Sequence, residues 1–492
     1  MSTDSGDPRG AVDLRRVAGG AATLAVSSAV AQGIGLLSML ALARLYDPAA
    51  FGAWAAFMAA ASLVGVLGGL RYDIAVVVER DDDDSARLVA VTLLVALAGA
   101  LVTAAAAGAL ILWGGGAMSA LPRGAVYGLP AVVLASAAIQ TAAAWRLRQR
   151  RFAYVAASRL GLAALLGAFQ IGLAGTGAGG DGLIIGTVFA HVVAAVAFGY
   201  PLLAPLRRAA STSGVRDLRA VAARHAAMPG LSAPNSFIGQ IFAQGSTVLL
   251  VASTPAAFVG GLNLAWRLTY APLVTVAQSV GQALFPELAA AGSDLRPLRA
   301  TVLAILRGVA LVLAPGVGVL VAFGPAIFAA PLGEPWREAG RYAGPVSVAA
   351  LLMALTTVVE RAFDVAGRQR TQLRLNLACN VAALLALVAG LGLAGDGAGV
   401  ALAWSVAMAL QAVTWLLATG IVVGFGAWAA SRVAVEATLA ALLVPAVAWA
   451  ARGIVDPLAA VAMALAVYGA GLLWYARASG LLGRAARREA PG

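Results

Sequence analysis

Runs of about twenty apolar residues recur along the 492-residue chain, separated by short segments rich in Arg, Gly, Pro and Asp. Each run is long enough, as a helix, to cross a hydrocarbon core of roughly 30 Å. The apolar/polar alternation of barrel strands is missing, and backbone groups in lipid must be satisfied internally, so helices are the spanning element. The pattern predicts an all-α integral membrane protein with about 14 transmembrane helices. In the first half they fall at 17–43, 50–70, 88–112, 129–146, 155–175 and 182–203. In the second half they fall at 230–252, 257–283, 301–323, 343–361, 373–394 and 398–422, followed by 433–451 and 458–476.

The polar segments then set the orientation. With the N-terminus inside, the arginines divide roughly 27 to 5 in favour of the cytoplasmic side. An error of one span would mix the two groups, so the bias supports the count as well as the direction, with both termini inside. Every cation is Arg, with no Lys. The formal charge of +12 lies in short loops between apolar runs and not in one patch, which argues against nucleic acid as a partner. Charged residues are only 11% of the chain, well under the roughly 25% of a soluble domain. The small-residue stretch Ala29-Val30-Ala31 resembles a signal cleavage site, but its apolar run continues to about Ala43 and reads as an uncleaved first span. Cys379 is the single cysteine, so no intrachain disulfide is expected.

Two stretches repeat in order at an offset of about 210–220 residues. Asp47-Pro48-Ala49-Ala50-Phe51-Gly52 is echoed by Thr254-Pro255-Ala256-Ala257-Phe258-Val259-Gly260, and Gly175-Thr176-Gly177-Ala178-Gly179-Gly180-Asp181-Gly182 by Gly395-Asp396-Gly397-Ala398-Gly399. Six spans per repeat is an even number, so the repeats share one orientation and are related by an axis along the membrane normal. The expected organisation is a cytoplasmic tail at 1–16, an N-lobe at 17–203, a basic linker at 204–229 and a C-lobe at 230–422. Two further spans follow within 423–476, and a cytoplasmic tail at 477–492.

A charge at bilayer depth costs about 2.5–3.5 kcal/mol, so intramembrane polar residues point to function. Arg267 lies near the middle of the eighth span, and Asn263, Arg267, Gln278 and Gln282 share one helical face. Span 7 carries a comparable stripe that includes Gln240 and Gln244; Arg44, Arg71 and Asp73 flank the first two spans. These predict a wet, positively charged cavity, with Arg267, Arg71, Arg44, Asn263, Gln240, Gln244 and Gln278 as substrate contacts. Glu360 and Asp73 are the candidates for ion coupling. His191, alone in an apolar span, reads as a packed or hydrogen-bonded histidine. The run Asp81–Asp84 lacks the Gly and terminal Glu of a calcium loop and reads as a solvated turn. The Gly-rich segments lack the Lys-Ser/Thr of a phosphate loop, and the two histidines lie in unrelated segments. No catalytic, metal or cofactor constellation is expected, so the chain reads as a transporter and not an enzyme.

Several stretches resemble the polysaccharide transporter family, the Wzx-type oligosaccharide flippases of the multidrug/oligosaccharidyl-lipid/polysaccharide (MOP) exporter superfamily. They are Ala43-Arg44-Leu45-Tyr46-Asp47-Pro48 with Phe51-Gly52, then Gly69-Leu70-Arg71-Tyr72-Asp73-Ile74-Ala75-Val76-Val77 with the acidic turn after it. In the second half they are Pro229 with Asn235, Gly261 through Ala265 to Arg267, Pro272, and Phe285-Pro286. The resemblance covers about residues 1–420. It implies a flippase of the bacterial inner membrane that moves polyprenyl-pyrophosphate-linked oligosaccharide to the outer leaflet by alternating access. The partners it implies are membrane lipids and a polysaccharide polymerase or export complex. A lipid II flippase or a MATE-like drug or cation exporter of the same superfamily is an alternative, although acidic residues deep in the first lobe are wanting. A membrane glycan polymerase or ligase would need larger outer loops than this chain has.

Overall fold

The computed structural model describes residues 14–66, 68–113, 123–292, 294–393 and 396–450, with 462–463, 466 and 468–469 near the end. The expected tail up to residue 13, the tail at 477–492, Gly395 and most of the span at 458–476 lie outside the described residues. The described part is all-α, and it divides into two compact units, Met1–Ala252 and Ser253–Gly492.

The first unit holds α1 (Leu14–Leu45), α2 (Pro48–Gly65), α3 (Tyr72–Val78), α4 (Asp82–Trp113), α5 (Arg123–Arg148) and α6 (Phe152–Ala174). It continues with α7 (Gly182–Gly199), α8 (Leu203–Thr212), α9 (Val215–Arg224) and α10 (Ala233–Ser253). Helix starts follow local chemistry. Asp47 accepts a hydrogen bond from the Ala50 amide at 2.8 Å, and Pro48, with no amide proton to lose, opens α2. Helix α1 packs on α6, α4 on α5, and α7 on both α5 and α6. A buried polar knot ties the bundle: Gln170 donates to the Leu183 carbonyl at 3.2 Å and to Thr187 Oγ1 at 3.0 Å. Trp54 Nε1 donates to the same Thr187 oxygen at 2.9 Å, and the Tyr46 hydroxyl donates to the Gln170 carbonyl at 2.7 Å. With each polar group paired inside an apolar bundle, the knot fixes helix register.

The second unit holds α11 (Ala256–Ala291), α12 (Arg299–Leu332), α13 (Arg337–Val359), α14 (Ala362–Val365), α15 (Gln369–Leu393), α16 (Gly397–Val423) and α17 (Gly426–Ala450). Helix α13 is its axis: it packs on α11, α12 and α16, and Ala350, Leu351 and Leu355 are fully buried. Asp396 caps α16 by accepting from the Gly399 amide at 2.8 Å. An ion pair of Arg307 on α12 with Glu436 on α17, at 2.9 Å, joins two helices of this unit.

Among the described residues, ten helices are long and apolar enough to cross a membrane, and Met228–Ile241 with Ala243–Ser253 forms one more, bent by 44°. Of the remaining expected spans, the first lies on α1, a 32-residue helix whose side chains are described only from Val30, the eighth lies on α11, where Asn263 and Arg267 lower the hydropathy, and the last is largely outside the described residues.

Candidate functional site: a polar cavity in the first unit

The glycines after α2 set up the site. Gly68 lies so close to α5 that a Cβ there would meet Val133 Cγ1 at 3.0 Å. The chain then turns through two left-handed non-glycine residues, Leu70 (φ 43°) and Arg71 (φ 64°), before α3 begins. Such backbone costs roughly 1–2 kcal/mol per residue and persists only where its surroundings impose it. The turn is held by amide-to-carbonyl bonds from Tyr72 to Gly69 (3.0 Å) and from Ile74 to Arg71 (3.2 Å).

This break brings Arg71 to a cavity of about 290 Å³. Ser62 of α2, Asp73 of α3, Thr92 of α4, Ser136, Gln140 and Thr141 of α5, His191 of α7 and Gln240 of α10 line it, with Met58, Val66 and Val132 among the apolar walls. The Arg71 Nε atom is buried with no hydrogen-bond partner in the protein. Leaving such a donor unmet costs about 1–3 kcal/mol, more for a charged group. His191 is buried, and its Nδ1–H donates to the Thr187 carbonyl at 2.8 Å, which leaves Nε2 as the acceptor of the neutral ring. One guanidinium, one carboxylate, two amides, an imidazole and several hydroxyls make a site for a group that carries both negative charge and hydroxyls. Gln240 stands beside the bend in the α10 segment, and interrupted helices are where transporters present binding groups.

Arg71, Asp73 and Gln240, which the sequence offered separately, thus line one cavity. Arg44, exposed at the end of α1, and Gln244 of α10 are not among its walls. Arg267, Asn263 and Gln278 lie on α11 of the second unit. Arg267 is half-buried, Gln278 is exposed, and the buried Asn263 Oδ1 has no hydrogen-bond partner. Beside Arg267, Trp266 stacks on Tyr270 (4.5 Å) and meets Trp404 edge-on (5.0 Å). Glu360 is exposed just after α13, and the Arg361 guanidinium lies 4.8 Å over the Phe285 ring. The side chains of Asn235 and Pro286 lie outside the described residues. Sequence reading passed over Ser136, Gln140 and Thr141, although they stand about one helical turn apart in an otherwise apolar run.

The acidic turn is a correction. Asp81–Asp84 is not simply solvated but clamps the 204–229 segment, which folds as α8 and α9 against α4. Asp83 pairs with Arg208, and Asp84 with both Arg87 (2.6 Å) and Arg224. Asp82 pairs with Arg148 at 2.7 Å, and Glu79 with the His225 Nε2 at 2.9 Å. Arg87 Nε also donates to Ser213 Oγ at 2.8 Å, and the Tyr72 hydroxyl to the Ala222 carbonyl at 3.3 Å. Hydrogen bonding from His225, helped by the amides of Asp81 and Arg80, holds the Glu79 carboxyl below its ordinary range. Among the described residues, no group of three or more His, Cys, Asp or Glu is placed to hold a metal ion.

Residues 41–341 match the sequence profile of the family described as "Polysaccharide biosynthesis protein", over more than half of the chain. The chain belongs to that family. Its fold is similar to that of the lipid II flippase MurJ in an inward closed conformation, with a TM-score of 0.68 at 12% identity, covering 92% of this chain and 98% of that one. It is also similar to an inward-facing multidrug resistance MATE family transporter of the MOP superfamily. There the TM-score is 0.54 at 14% identity, covering 82% of this chain and 95% of that one. Among curated protein sequences none matches. The family member described here is therefore a multi-pass helical membrane protein with the MOP transporter fold, as the resemblance implied.

Proposed function

We propose that this protein is a flippase that carries a polyprenyl-pyrophosphate-linked oligosaccharide across the inner membrane by alternating access, for polysaccharide biosynthesis. The observation that carries this reading is the Arg71 cavity, a half-buried arginine whose buried Nε is unmet, among amides, hydroxyls and an imidazole. A pyrophosphate-sugar head group supplies what those residues lack. Its anionic oxygens accept from Arg71, and its hydroxyls exchange hydrogen bonds with Gln140, Gln240 and Asp73. Family membership and the fold shared with a lipid II flippase support the same cargo class. In this reading both termini face the cytoplasm, the halves act as two six-helix lobes with spans 13 and 14 appended, and the polysaccharide polymerase or export complex receives the product. Arg267, with Asn263 and Gln278, contacts the cargo from the second half, while Asp73 and Glu360 serve ion coupling.

The test is complementation of a deletion strain that accumulates lipid-linked oligosaccharide on the inner leaflet. Arg71→Ala and Arg267→Ala are each expected to insert normally, yet to lower export by about a hundred-fold, the loss of one charge-assisted contact of up to about 3 kcal/mol. Full export by both variants would overturn the reading.

A further inference from the structure

A second pocket lies elsewhere in the first unit, where α5 ends and α6 begins, and it shares no lining residue with the Arg71 cavity. It encloses about 470 Å³ and is lined by Arg146, Arg150, Arg151, Phe152, Ala153, Tyr154 and Tyr200. Among these lining residues none is acidic.

Its backbone is shaped with care. The Arg151 amide donates to the Arg146 carbonyl (2.9 Å), and the Arg150 amide to the Leu147 carbonyl (2.9 Å). This is the paired closure of a Schellman motif, whose left-handed position normally belongs to glycine. Here that position is Arg150, at φ 56°. The strain holds consecutive arginines at the pocket. The Arg146 guanidinium sits 5.5 Å over the Tyr154 ring and 5.6 Å over the Tyr200 ring, which leaves its in-plane donors for a ligand. One of those donors, Nη1, reaches Gln149 Oε1 at 2.9 Å, but Nε is buried with no hydrogen-bond partner. Helix α6 starts at the same place without a side-chain cap on Arg151, so its N-terminal amides add positive potential.

We propose that Arg146, Arg150 and Arg151, framed by Tyr154 and Tyr200, bind the phosphate of an anionic phospholipid head group. Three cations, a buried unmet donor and an uncapped helix start on one pocket call for a phosphate oxygen set. The place calls for a lipid: span ends with Arg and Tyr sit at head-group depth, and basic pockets there take acidic lipids. Arg148, one residue before the motif's turn, is instead engaged with Asp82 and the carbonyl of Arg80. The proposal does not rest on the glycan-lipid reading.

The test is native mass spectrometry of the full chain in detergent, titrated with phosphatidylglycerol or phosphatidylcholine. The parent is expected to retain phosphatidylglycerol in preference, and Arg150→Gly to lose about ten-fold or more of that binding. Glycine suits the left-handed position, so this variant should melt no lower than the parent, and misfolding cannot explain its loss. Arg146→Gln with Arg151→Gln should lose binding as well, whereas Arg216→Gln on the exposed face of α9 should not. Unchanged phosphatidylglycerol retention in Arg150→Gly would overturn the site. Displacement of the lipid by an equal concentration of soluble glycerol phosphate would overturn the lipid assignment and leave a soluble phosphate ester as its ligand.

Discussion

Single residues carry the chemistry here, and their positions depend on partners far away in sequence. Glu79 meets His225 across 146 residues, and Asp84 meets Arg224 across 140. No local pattern announces such pairs, which is why the acidic run read as solvated. Arg71 was legible as a charge beside a span, but its left-handed backbone and buried Nε were not, because neither a positive φ at a non-glycine residue nor the burial of one atom leaves a mark in the local sequence. The Glu79 pair makes a prediction about pH. Because the folded carboxyl sits below the ordinary glutamate range, its contribution is complete above the unfolded value, roughly pH 4.3. That contribution is lost as pH falls through the lowered folded value. Thermal unfolding followed by tryptophan fluorescence should therefore show an acid-side loss of stability that is shallower in Glu79→Gln. Parallel curves for parent and variant would remove Glu79 from the acid response.

Elements were the most readable level, since apolar run length alone marks where helices lie. What run length could not show was how closely they approach. On α12 and α13, a methyl added at Gly324 would land on the Gly340 carbonyl, and one at Gly340 on the Gly324 carbonyl. Small residues let helices meet backbone to backbone, and in lipid that packing replaces the hydrophobic drive. Gly340→Leu is expected to destabilise the second unit by about 3 kcal/mol or more, overpacking a crossing where two backbones meet. Detergent-resistance assays on the purified protein would register it. A variant as resistant as the parent would mean that α12 and α13 can separate without loss. The short helices α8 and α9 were hidden for a different reason. Their faces are amphipathic but too brief to stand out beside long apolar runs.

For the molecule as a whole, sequence reached the fold class and the family, because both rest on composition, span order and motifs spread over hundreds of residues. The cargo was not legible at that scale, since it depends on the few side chains that line each cavity. The clamped segment offers a test across the first unit. Asp84 is buried and meets two guanidinium groups, so Asp84→Asn leaves Arg87 and Arg224 under-satisfied at a cost of about 1–3 kcal/mol. Loosened α8 and α9 should then be cut faster by trypsin at Arg216 and Arg219. Equal cutting rates in parent and variant would show that the acidic turn does not hold them. Selection, too, acts on the whole molecule, and the left-handed Arg150 gives it a measurable handle. Every arginine codon is one base change from a glycine codon, so relief of that strain is always a single mutation away. In a mutant library screened for thermal stability alone, Arg150→Gly should rise early; in one screened for growth, it should be purged. The gap between those two frequencies would express, in units of fitness, what three arginines on one pocket are worth to the cell.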